Sequence, residues 1–68
     1  MIFMETDDGY VMVSRHGGVW FIIGGDGEWR PCDSALDRIE SGEADELTEE
    51  QGRNRVAELG GRLDDLPA

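Results

Sequence analysis

Sixty-eight residues hold at most one small domain, and a core of that size is marginal without a staple or a partner. Cys32 is the single cysteine and His16 the single histidine, which excludes an internal disulfide and a Cys/His zinc centre. The net charge of -10, from sixteen acids against six arginines and no lysine, argues against direct nucleic-acid binding and against docking on an anionic membrane.

The chain opens on Ile2-Phe3-Met4-Glu5, a short apolar strand. The start MIFMETDD has no basic segment ahead of a long apolar run, so it does not read as a secretion signal. Thr6-Asp7-Asp8-Gly9 is a turn, and Asp-Gly is a strong hairpin signal. Tyr10-Val11-Met12-Val13-Ser14 has the β-branched and aromatic character of a second strand. After the turn Arg15-His16-Gly17-Gly18 comes Val19-Trp20-Phe21-Ile22-Ile23, the clearest strand of the chain. Gly24-Gly25-Asp26-Gly27 turns again, and Glu28-Trp29-Arg30 is a short strand ended by Pro31, which cannot donate to a ladder. Residues 1–32 therefore predict an antiparallel meander of three or four strands.

Residues 33–66 predict helices. Ser34 followed by Asp37 resembles a capping box, with Ala35, Leu36 and Ile39 at helical spacing and Gly42 near the C-terminal cap. Ser41 to Leu47 reads as a charged connection. Thr48-Glu49-Glu50-Gln51 is a clearer helix start, followed by Val56, Leu59, Leu63 and Leu66 at spacings of three and four. Glu49 with Arg53 and Glu58 with Arg62 are acid-before-base pairs one turn apart. Gly60-Gly61 either ends this helix or lets it pack closely on the sheet. The expected fold is α+β, one domain over residues 1–68, with one or two helices on one face of the sheet.

The third strand does not alternate apolar with polar, as a half-buried strand does. Val19, Phe21 and Ile23 take one face, and Trp20 and Ile22 the other; Tyr10 and Met12 share that second face. One helical stripe covers one face. The second face is then closed by curling and by the chain ends, or it is an interface of Tyr10, Met12, Trp20 and Ile22, with a homodimer as the commonest arrangement.

Signals for chemistry are weak. Asp7, Asp8 and Asp26 lie on turns that a meander brings to one end, and oxygen ligands there would suit a hard cation, although no metal-binding spacing is present. No phosphate-loop or dinucleotide pattern occurs, and no nucleophile, base and acid set is suggested. Neither an enzyme nor a cofactor is expected. The strongest feature is charge: Glu40, Glu43, Asp45, Glu46, Glu49 and Glu50 place six acids in eleven residues without a base. Such a run is a solvated face or a surface for a basic protein. The expectation is a small acidic, cytoplasmic protein–protein interaction module. It would inhibit or antagonise a larger basic or nucleic-acid-binding partner, as some phage-encoded proteins do. The alternative is a structural or regulatory homodimer without an acidic-face target. The lone cysteine suits a reducing compartment.

Overall fold

The computed structural model describes residues 1–67, and it is α+β. Four strands form the expected meander: β1 (Ile2–Thr6), β2 (Val11–Ser14), β3 (Trp20–Ile23) and β4 (Trp29–Pro31). Helix α1 (Ala35–Glu40) is followed by a strand that composition hides, β5 (Ala44–Leu47), and then by helix α2 (Glu49–Glu58). The sheet has five antiparallel strands in the order β4-β3-β2-β1-β5. The segment read as a connection between helices is thus an edge strand, paired with β1 from Phe3 opposite Leu47 to Thr6 opposite Ala44. A single 3-10 turn, Leu63–Asp65, precedes the chain end.

This topology answers the question of the two apolar faces. β4 and β5 are the opposite edges of the sheet, so the chain between them must cross a face. α1 makes that crossing. Beneath it lie Met4, Met12, Trp20, Cys32, Ala35 and Ala44, with Ile2, Ile22 and Ile39 packed alongside. After β5 the chain returns over the other face as α2 and the C-terminal turn. That core holds Phe3, Val11, Val13, Ile23, Val56 and Leu66, with Phe21, Trp29, Leu47, Leu59 and Leu63 around it. The expectation that the helices share one face is therefore corrected: each face has its own cover. The C-terminal segment lies over the α2 face rather than the second face where it was expected: Leu66 is buried there, Arg15 donates to its carbonyl at 2.9 Å, and the Trp29 indole donates to the Arg62 carbonyl at 2.9 Å.

Local signals set the helix limits. The Thr48 hydroxyl accepts from the Gln51 amide at 3.1 Å, and the Gln51 side chain accepts from the Thr48 amide at 3.0 Å, so the second capping box is complete. Ser34 makes no cap bond; its hydroxyl accepts instead from Arg38 Nε at 3.3 Å. Both helices end in the same way. Gly42 and Gly60 take φ of +81°, where a side chain would be strained. The amides of Gly42 and Glu43 reach the carbonyls of Ile39 and Arg38, and those of Gly60 and Gly61 reach Ala57 and Val56. This pair of bonds is the Schellman closure of a helix. The double glycine both ends α2 and allows close packing, since a Cβ on Gly61 would overlap Ile23. Of the expected ion pairs, Glu49–Arg53 forms at 3.3 Å, whereas Glu58 pairs with Arg55 and Arg62 with Asp64.

Candidate functional site

The acidic run becomes one side of the molecule. Glu40 closes α1, Glu43 lies in the connection to β5, Asp45 and Glu46 lie on β5, and Glu49 and Glu50 form the first turn of α2. All six are exposed. Among the described residues, only Glu49 of the six has an arginine partner. Glu43 accepts from the Ser41 hydroxyl at 2.7 Å, a bond that orients its carboxylate without neutralising it.

Their placement concentrates negative potential. Glu49 and Glu50 sit at the positive end of a helix dipole, where acids are favourable. Glu40 sits at the negative end of α1, where an acid is not. Asp45 lies directly across from Glu5 in the β1–β5 register, a like-charge pair on the α2 face. Arg55 relieves only one member. Its guanidinium donates to Glu5 at 2.7 Å, to Glu58 at 3.0 Å and to the Gly9 carbonyl at 3.0 Å. The acids of Glu58 and Glu5 hold its guanidinium more firmly protonated than usual. Arg55 thus ties α2 to the sheet, and Asp45 is left open.

The expected apolar interface is corrected. Met12 is fully buried and Trp20 is 7% exposed, because α1 and Cys32 lie over them. Neither is available to a second chain. The Trp20 indole nitrogen is buried without a hydrogen-bond partner. Ile22 is half-buried and Tyr10 exposed at the corner that the six-residue α1 does not reach. There they border a concavity of about 490 Å³ with Gly24, Gly25, Asp26 and Arg30.

Asp7, Asp8 and Asp26 do not converge on a cation site, and no cluster of metal-ligating side chains occurs among the described residues. Asp26 is engaged by the Glu28 amide at 3.1 Å and by Arg30 at 2.8 Å; these bonds hold its carboxyl below the usual aspartate range. The Thr6 hydroxyl donates to Asp8 and lowers it likewise. Cys32 is buried, its thiol 3.8 Å from the Met12 sulfur and from the Ser34 hydroxyl. His16 stands exposed on the β2–β3 turn. No helix among the described residues is long and apolar enough to cross a membrane. Composition hides the strand identity of 44–47, which turns a line of acids into a sheet edge. Its faint signal was the pair Ala44 and Leu47, isolated between the helix stop Gly42 and the helix start Thr48.

No family model matches this chain, and comparison with curated proteins and with solved structures returned no match.

Proposed function

We propose that this protein is a small, non-enzymatic protein–protein interaction module that engages a basic partner through its acidic side. The observation that carries the reading is that five of six exposed acids on one edge lack a cation, although arginines elsewhere pair with acids. Uncompensated like charges weaken a compact domain. Among the described residues five other acids, Asp7, Asp8, Asp33, Asp37 and Asp65, also lack an arginine partner, so it is the grouping of five along one edge that favours a use for the field they create. A partner whose site is built for phosphates would meet a row of carboxylates, and the protein would act as its inhibitor or antagonist. The reading places the protein in the cytoplasm, where the buried thiol of Cys32 stays reduced. A homodimer closed through the sheet face is not favoured, because Met12 and Trp20 are covered by the chain itself.

The test uses the immobilised chain and the triple variant Glu43→Lys, Glu46→Lys, Glu50→Lys. A partner captured from lysate at low salt should be lost with the variant and released by roughly 0.5 M salt, where charges act over only a few ångströms. The captured protein should also bind nucleic acid less well when the chain is added. Capture that survives both charge reversal and salt refutes the charge-driven reading.

A further inference from the structure

We infer that the free edge of β5 is a docking site at which an extended, Lys/Arg-rich segment of the partner adds as a sixth strand. This inference rests on the acidic-surface reading above and specifies how the partner is held.

The argument begins with the hydrogen-bond register. The Asp7 amide donates to the Glu43 carbonyl at 3.1 Å, so the carbonyl of Glu43 turns toward β1, while its amide closes α1. In an antiparallel ladder these groups alternate, so those of Asp45 and Leu47 also turn toward β1. The main-chain groups of Ala44 and Glu46 then point away from the sheet. β5 is the last strand in the order, with no strand on its other side among the described residues. The open stretch has defined ends. On one side the amides of Gly42 and Glu43 close α1; on the other the Thr48 amide is taken by Gln51 and the Thr48 carbonyl by the Gly52 amide. Ala44 is itself buried beneath α1, so Glu46 is the residue of β5 that offers an open main-chain donor and acceptor between two helix caps.

An exposed strand edge recruits extended chains, because added main-chain bonds extend the ladder. The side chains decide which chain fits. Glu46 pairs with Met4 and projects on the α1 face; Asp45 pairs with Glu5 and projects on the α2 face. An added strand presents its side chains alternately to both faces. It meets Glu46 on one face and Asp45 on the other. A second copy of this chain, added edge to edge, would set these acids against one another, and like charges directly opposite are destabilising. An apolar segment would leave them desolvated and unpaired. A segment with Lys or Arg at successive positions supplies a cation to each face.

The experiment uses two capped octapeptides of one sequence, made of Arg, Lys and Val with basic residues on both faces. One has a normal main chain; the other is N-methylated at every residue, which keeps the charge and removes every strand donor. Binding to the full chain is measured by NMR titration at low salt, with amide exchange read at Ala44, Asp45 and Glu46. The normal peptide should bind about tenfold more tightly, the effect of one or two added hydrogen bonds. It should slow exchange at Glu46 and leave Ala44, already buried, and Asp45, already bonded to β1, unchanged. Equal binding of the two peptides, or slowed exchange confined to other strands, overturns strand addition and leaves the acidic-surface reading standing. Failure of both peptides to bind overturns both readings.

Discussion

Gly52 is where one atom decides most. It lies inside α2, where glycine is a poor helix former and alanine would add about 1 kcal/mol of stability. Yet Gly52 is buried, and a Cβ on it would overlap the ring and Cβ of Phe3, itself 1% exposed at the centre of the core. The glycine lets α2 approach β1 closely. Overpacking a tight core costs about 1–3 kcal/mol, which outweighs the propensity gain. Gly52→Ala should therefore lower the denaturation midpoint, whereas Asn54→Ala, at an exposed position of the same helix, should leave it unchanged or raise it slightly. A Gly52→Ala chain more stable than the parent would mean that α2 sits further from the sheet than described. The sequence contains the glycine but not its neighbour, and the distinction between a weak helix residue and a packing contact is tertiary.

Helix limits, by contrast, are carried by local chemistry, and most were legible. The Thr48–Gln51 box uses only residues three apart, so the sequence contains the whole motif, as it does the stop at Gly42. Ser34 matches the capping pattern but makes no cap, because its backbone, at φ -92° and ψ 9°, does not aim the hydroxyl at the first turn. The two positions should separate cleanly. Thr48→Ala should cost about 1 kcal/mol in urea unfolding, as loss of a working cap does. Ser34→Ala should change stability by no more than the few tenths that an exposed contact contributes. Equal losses at both would show that cap geometry is not what limits α2. Less legible was β5. Asp and Glu are poor strand residues, and nothing within 44–47 favours extension. The strand exists because β1 has a second edge to be satisfied and because the cap of α1 and the cap of α2 leave four residues between them. Its existence also decides where α1 and α2 lie, since a chain that reaches the far edge after crossing one face returns over the other. The acidic residues of the candidate site were legible one by one. That they share a sheet edge was not, because that depends on pairing between residues about forty apart in the chain.

For the whole molecule the unresolved quantity is charge. A net -10 is carried on a body measuring 27 × 23 × 20 Å, and half of the acids without an arginine partner among the described residues lie along one edge. These dimensions are only two to three times the screening length of about 10 Å at 0.1 M salt. At low salt the acids of the β5 edge feel one another and feel the negative end of α1. Raising NaCl from about 0.02 to 0.2 M should relieve that repulsion and raise the melting temperature by a few degrees, a shift of roughly 1 kcal/mol in a domain of this size. The same addition should weaken capture of a basic partner, since the attraction there is screened by the same ions. Stability and binding thus respond to salt with opposite signs, and Glu40, Glu43, Asp45, Glu46 and Glu50 contribute to both responses. Replacing Glu46 with Gln should imitate the salt effect in both directions at low ionic strength: a higher melting temperature and a weaker complex. Differential scanning fluorimetry across a NaCl series, run on parent and Glu46→Gln chains, separates the possibilities. If the melting temperature of the parent falls as salt rises, the edge acids are paired rather than repelling one another, and the field proposed to draw a partner is not there.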